Sequence, residues 1–455
     1  MANIDVNKMR ETIESDVSNY STDISYKLIE TYFEKQHLDR LVRHQKESYN
    51  QFVSEQIRET IQMFNPVTIH SDHDRDEKTG LYSLEIVITF DNLQIYRPQI
   101  HENNGATKIM FPQEARLRNF TYSSPMSIDV NIKIIKRSGE DLQSIETLYK
   151  KLPRIDIGKM PIMLKSDICV LKQYSHLKSS ITGECWMDPG GYFIINGSEK
   201  TIIAQERAAE NTVMCFNIKK NNNKWNWLAE IKSVPDFKCI SPKQINVMIA
   251  TRNNGSGHGI YVQIPRIKIP IPLFIVFRAL GVSSDEEICQ RILLNVKKNK
   301  KQMLFGLKAS IIDANEYITE EESLDYIVSN AMFTPINMDK ESGLKKKKEF
   351  TENVLNNDLF PHCRSKIQKI YFLGYMVNKL LQTSFGWRKC DDRDSYLNKR
   401  LDTTGILLNN LLRNYFNKLV KDMQKQTVRE INNGSWRSTD DYLNIINQTN
   451  IYKII

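Results

Sequence analysis

The 455-residue sequence carries 63 lysines and arginines against 54 aspartates and glutamates, a net charge of +9, with 40% hydrophobic and 26% charged residues. That length suggests two or three domains with ample material for buried cores, and the composition is ordinary for a soluble globular protein. A charge of this size permits nucleic-acid contact without demonstrating it. No stretch approaches the roughly 18 to 20 apolar residues of a membrane span, and the polar N-terminus lacks the apolar run of a signal peptide. Seven cysteines are widely spaced and never form C-x-x-C, so they read as reduced thiols of an intracellular protein rather than zinc ligands or a redox pair. Sequons such as Asn196-Gly197-Ser198 and Asn447-Gln448-Thr449 then meet no glycosylation machinery.

The first sixty residues predict helices, with Ile24, Leu28, Tyr32, Leu38, Leu41 and Val42 recurring at three and four, an amphipathic packing face. The period then changes to two. Leu84, Ile86, Ile88 and Phe90 share one face of a strand, as do Ile128, Val130, Ile132 and Ile134. Tyr192 to Ile195 and Lys200 to Ala204, joined through Asn196-Gly197-Ser198, predict a hairpin, because Asn-Gly supplies the positive φ angles of a tight turn. Polar loops are expected at 219–224 and 251–259, followed by a Pro-punctuated strand, Ile264 to Pro272. Lysine clusters at 297–301 and 345–348 read as solvated loops or helix faces. After Pro361 come two helical stripes: Ile370, Leu373, Val377, Leu380 and Leu381, then Leu408, Leu411, Leu412, Tyr415, Phe416, Leu419, Val420 and Met423. Lys421, Lys425 and Arg429 lie at i, i+4, i+8 on another face of the second. The last residues, 451–455, are apolar and read as an interruption rather than a domain end.

No phosphate-binding loop, H-E-x-x-H or G-x-S-x-G pattern is present. The Gly-rich run Gly255 to Gly259 has no lysine and reads as a surface turn. His70-Ser71-Asp72-His73-Asp74 offers two imidazoles and carboxylates to a metal, but its dense charge reads better as an exposed loop. Asp391-Asp392-Arg393-Asp394 alternates acid with base and reads as a salt-bridged network rather than a magnesium site. The residues alone thus describe a mixed, multi-segment basic protein without a visible catalytic site.

The segment Gly183 to Phe216, GECWMDPGGYFIINGSEKTIIAQERAAENTVMCF, closely resembles the second-largest subunit of multisubunit DNA-dependent RNA polymerases, where its protrusion and lobe domains join. Gln113 to Asn119 with Thr121 to Pro125, Lys159 to Ser166, Ile269 to Pro272 with Phe277 to Gly281, Tyr371 to Met376, Asp391 to Asp394, and Lys399 to Asp402 with Gly405 resemble further motifs in the same order. Only 217–265 and 431–450 depart from the pattern. The resemblance implies an α+β, multi-domain fold: a discontinuous protrusion, 1–210 and 393–455, with an inserted lobe at 211–392, ending near the start of the fork.

It also implies function. Such a segment forms one wall of the DNA cleft and supports template-directed RNA synthesis by the assembled nucleotidyltransferase, while being inactive alone. Its partners would be the largest polymerase subunit, other polymerase subunits, the remainder of the second-largest subunit, DNA and the DNA–RNA hybrid, with no membrane. It would hold no cofactor, the catalytic Mg being held elsewhere in the polymerase. A sequence-tolerant enzyme aims Lys and Arg at phosphates rather than base edges, and Lys200, Arg207, Lys399 and Arg400 lie in the matched motifs. The acidic neighbours Glu206 and Asp402 give Arg207 and Arg400 a second reading as structural ion pairs. The Asn, Lys and Ile bias fits a large DNA virus transcribing in the host cytoplasm or virion, or an AT-rich protist with a nuclear enzyme. The alternative function is a stand-alone nucleic-acid-binding or transcription-factor-docking module derived from that subunit.

Overall fold

The computed structural model describes residues 22–34, 39–70, 81–139, 142–174, 176, 179–185, 187–218, 224–237, 241–294, 299–334 and 340–433. Helices and several antiparallel sheets make a mixed α+β fold. The chain divides into two compact units: residues 1–205 together with 402–455, and residues 206–401.

The discontinuous unit is built on a four-stranded antiparallel sheet in the order Val67–Ile69, Leu84–Ile95, Ser123–Ser138, Ser144–Pro161. The period-two residues are the reason it packs. Leu84, Ile86, Ile88 and Phe90 point to the same face as Ile128, Val130, Ile132 and Ile134, and all eight are buried. Against that face lie Tyr49, Phe52, Ile57 and Ile61 from the N-terminal helical segments Asp39–Gln51, Phe52–Gln56 and Ile57–Gln62.

The same core is completed from far along the chain. The long helix Thr404–Asn432 contributes Phe416, Val420, Met423 and Ile431. The Phe416 ring sits 5.1 Å from Phe64 and 5.2 Å from Phe90. Each such side chain contributes on the order of 1.5–3 kcal/mol on burial. The helix begins by lying against Asp39–Gln51. The Gly405 amide donates to Ser48 Oγ at 2.9 Å, Ser48 and Thr403 hydroxyls bond at 2.6 Å, and Thr60 Oγ1 meets Asn409 Oδ1 at 2.7 Å. A Cβ on Gly405 would overlap the Ser48 carbonyl oxygen, so no larger residue fits there.

The contiguous unit has a five-stranded antiparallel sheet, Met214–Asn217, Trp225–Ser233, Lys243–Asn253, His258–Gln263 and Ile271–Pro272, in that order. Its core also takes side chains from the helices Leu273–Ala279, Asp285–Leu293, Lys300–Ile312 and Lys366–Ser384. The expected stripe Ile370, Leu373, Val377, Leu380 and Leu381 is buried. So is Arg278, whose guanidinium donates to the Ala314 and Tyr317 carbonyls at 2.6 Å each and pairs with Asp285 at 2.7 Å. Those three bonds, which leave only Nε without a partner among the described residues, are what allow a full charge inside.

Several local expectations differ. Ile24, Leu28 and Leu41 are exposed rather than packed, because helical period identifies an apolar face but not what covers it. Leu411 and Tyr415 are also exposed, being rotated roughly a quarter turn or more from the Phe416–Val420–Met423 line. Ile264 to Pro272 is strand only at Ile271–Pro272, since Pro265 and Pro270 cannot donate to a ladder. Residues 219–223 of one expected loop, 71–74 of the His-Asp run and 434–455 lie outside the described residues.

Gly405→Ala should destabilise the discontinuous unit by about 2–3 kcal/mol through overpacking against backbone. Urea denaturation followed by Trp and Tyr fluorescence checks it, with Asn410→Ala, on the exposed side of the same helix, nearly neutral.

Candidate nucleic-acid interface

Lys200 ends a hairpin, Phe193–Ile195 with Ser198–Lys200, in which Ile195 faces Ser198 and Phe193 faces Lys200. The turn is only Asn196-Gly197, both at positive φ. The second strand therefore starts at Ser198 and has ended before Thr201, earlier than the expected Lys200 to Ala204. A Cβ on Gly197 would lie 2.9 Å from Asn119 Cα, so the turn tip needs glycine for space as well as for φ.

What holds this hairpin is Arg116, from the short helix Pro112–Leu117. Its Nε donates to Glu199 at 2.7 Å, Nη2 to the Tyr192 hydroxyl at 2.8 Å, and Nη1 to Gln113 at 3.2 Å and to Glu184. Tyr192 in turn donates to Asp188 at 2.6 Å, whose other oxygen accepts the Gly190 amide at 2.8 Å. Burial opposes the Arg116 charge, but the hydrogen bond and charge of Glu184 outweigh it, raising its pKa. Burial, reinforced by the bond to Asp188, likewise raises the Tyr192 phenol. Two motifs that stand some seventy residues apart in the sequence thus form one polar cluster. The organising role of Arg116 was not singled out from sequence; its one signal is its place in the matched motif Gln113 to Asn119. Lys200 itself is exposed and makes no ion pair among the described residues.

Arg207, Lys399 and Arg400 come together on a two-stranded ribbon, Gln205–Ala208 with Lys399–Asp402. The expected neighbour pairings are not the ones formed. Glu206 takes Lys399 at 3.1 Å, and Arg207 takes Glu210 at 2.7 Å. Successive strand residues point to opposite faces, so Glu206 reaches across the ribbon rather than to Arg207. The hydrogen bond that Lys399 donates to Glu206 raises the Lys399 pKa. Arg400 is exposed, its Nη1 donating to the Leu397 and Lys399 carbonyls at 3.1 and 2.8 Å, while Asp402 is buried.

The acidic run just before this ribbon is a network of ion pairs. Asp391 pairs with Lys379 at 3.0 Å and Arg388 at 3.2 Å and accepts the Cys215 amide at 2.9 Å. Arg393 forks onto Glu230 at 2.7 and 2.9 Å and lies 4.2 Å over the Phe216 ring. Burial works against the Asp391 charge, yet the Cys215 amide and Lys379 outweigh it and hold the carboxyl below its usual range. Among the described residues no three His, Cys, Asp or Glu side chains gather to hold a metal, and no helix is long and apolar enough to cross a membrane.

These features define a scaffold in which polar clusters tie the matched motifs together and leave Lys200 and Arg400 exposed. Residues 40–452 match the family described as RNA polymerase beta subunit. The chain is 33% identical over 433 residues to DNA-directed RNA polymerase II subunit 2 of Arabidopsis thaliana, covering 92% of this chain and 35% of that protein. It is 35% identical over 423 residues to DNA-directed RNA polymerase II subunit RPB2 of Schizosaccharomyces pombe, covering 89% and 34%. DNA-directed RNA polymerase subunit Rpo2N of Methanothermobacter thermautotrophicus is 31% identical over 439 residues, covering 90% and 75%. The chain therefore belongs to the RNA polymerase beta subunit family and corresponds to the N-terminal part of its second-largest subunits. It spans about a third of the length of the two eukaryotic relatives.

Asp391→Asn leaves the buried Lys379 ammonium without its carboxylate and should cost about 3 kcal/mol at neutral pH. A carboxyl with a depressed folded pKa stabilises above its unfolded pKa, about 4, and that contribution is lost as pH falls through the folded value. The gap between parent and variant in urea melts should thus be constant above about pH 5 and shrink below pH 4.

Proposed function

We propose that this chain acts as the N-terminal portion of the second-largest subunit of a DNA-directed RNA polymerase, forming one wall of the DNA cleft and supporting template-directed RNA synthesis by the assembled nucleotidyltransferase. The observation that carries this is the family match across 40–452, together with identity above 30% over about nine tenths of the chain. In this reading the discontinuous unit is the protrusion and the contiguous unit the lobe. The catalytic magnesium sits outside this segment, and the partners are the largest subunit, the other polymerase subunits and the remainder of the second-largest subunit.

The wall would contact DNA or the DNA–RNA hybrid through phosphates, without base readout. Lys200 and Arg400, exposed and not held by a carboxylate in an ion pair among the described residues, are the side chains most available for that. Arg207 and Lys399 would have to exchange Glu210 and Glu206 for phosphate. Free thiols at the six described cysteines fit a reducing, intracellular setting.

Purification through an N-terminal tag from the native source, with intact masses of all companions, tests the assembly. The expected result is co-purification with a largest polymerase subunit, and its absence would make the chain a free-standing derivative. Charge reversal at Lys200 and Arg400 should lower retention of DNA by the elongation complex, with the gap from the parent widest at low salt and shrinking as salt rises.

A further inference from the structure

The helix Thr404–Asn432 buries one line of side chains and presents a different one. Phe416, Val420, Met423, Thr427 and Ile431 are buried within a narrow arc. At about 100° per residue, Lys418, Lys421, Lys425 and Arg429 centre about 180° away from that arc. All four are exposed. They run for about 16 Å along the axis, with successive charges about 4.5 to 6 Å apart.

None of the four makes an ion pair among the described residues. Other surface lysines of this unit with acids in reach do: Lys108 with Glu114, Lys151 with Asp129 and Lys172 with Asp167. The one acid on the outer half of the helix nearby, Asp422, lies about 60° to the side of the row and pairs with none of them. Helix stability does not account for the row. Cations favour the last turn of a helix, which covers Arg429 but not Lys418, Lys421 or Lys425. Four like charges in a line repel one another, so the arrangement is costly unless a polyanion lies along it.

We propose that Lys418, Lys421, Lys425 and Arg429 form a nucleic-acid backbone contact, a rail for phosphates separate from the hairpin and ribbon residues. It deepens the proposed function and rests on it for the identity of the polyanion. A nucleic-acid strand offers an uninterrupted charge every 3.4 Å or so of axis. Ammonium and guanidinium groups both meet phosphate oxygens as charge-assisted donors, so such a row can hold a backbone without selecting a base.

The test uses the full chain, fluorescence anisotropy and a short labelled DNA duplex of mixed sequence across a salt series. The variant carries Lys418→Gln, Lys421→Gln, Lys425→Gln and Arg429→Gln, with circular dichroism confirming an unchanged fold. Each lost phosphate contact lowers the magnitude of the log K against log salt slope by about 0.9, so the expected drop is about 3 to 4. Affinity near physiological salt should fall at least ~10-fold, and the triple variant Lys418→Arg, Lys421→Arg, Lys425→Arg should restore both. An unchanged slope in the glutamine variant would overturn the proposal, as would no duplex binding by the parent chain. Competition by polyglutamate as effective as by DNA, at equal charge, would assign the row to an acidic protein and also overturn it. The polymerase reading fails on co-purification instead, so an unchanged slope with intact co-purification sinks the rail alone.

Discussion

Ser48 and Gly405 are separated by more than 350 positions, yet the backbone carbonyl of one leaves no room for a Cβ on the other. Everything in the discontinuous unit depends on that approach. Only when the helix Thr404–Asn432 lies this close to Asp39–Gln51 do Phe416, Val420 and Met423 reach the sheet face of Ile86, Ile88 and Phe90. The N-terminal residues alone would leave that sheet face partly open. A fold closed by such a distant segment pays loop-closure entropy before its core is complete, and a whole compact unit of its own, residues 206–401, occupies the interval.

The matched motifs divide their labour in a way that bears on function. Glu184, Asp188, Tyr192 and Glu199 converge on Arg116 or on one another. Asp391 and Arg393 are likewise absorbed by Lys379 and Glu230. Such residues keep a hairpin and a ribbon rigid, because a buried charge left unpaired is far more costly than one that is satisfied. Lys200 and Arg400 are carried at the edges of these clusters. In the function proposed above, a cleft wall that must accept any sequence would gain from this: cations at fixed positions, with no donor–acceptor pattern for base edges.

Period and turn chemistry identified several elements without any structure. The strands through Leu84 to Phe90 and Ile128 to Ile134 follow from alternation, the Asn196-Gly197 turn from positive φ, and the helix through Ile370 to Leu381 from its stripe. Long, irregular motifs identified the family, because their residues answer to many simultaneous constraints. Local pattern failed where the answer lay in a neighbour. Ile24, Leu28, Leu411 and Tyr415 have the right spacing for a core, yet among the described residues they stay exposed. Lys399 found Glu206 across a ribbon, and Arg207 found Glu210.

By itself, then, the sequence determined the type of its most periodic elements, the family and a set of basic residues in matched motifs, since each of these is written in short-range spacing. Tertiary structure alone decided which of those cations are paired and which are exposed, that Arg116 gathers two separate motifs, and that Lys418, Lys421, Lys425 and Arg429 stand opposite a buried face. Those facts depend on which distant side chain arrives at a given distance. No local rule encodes the approach of a helix some 350 residues further along the chain.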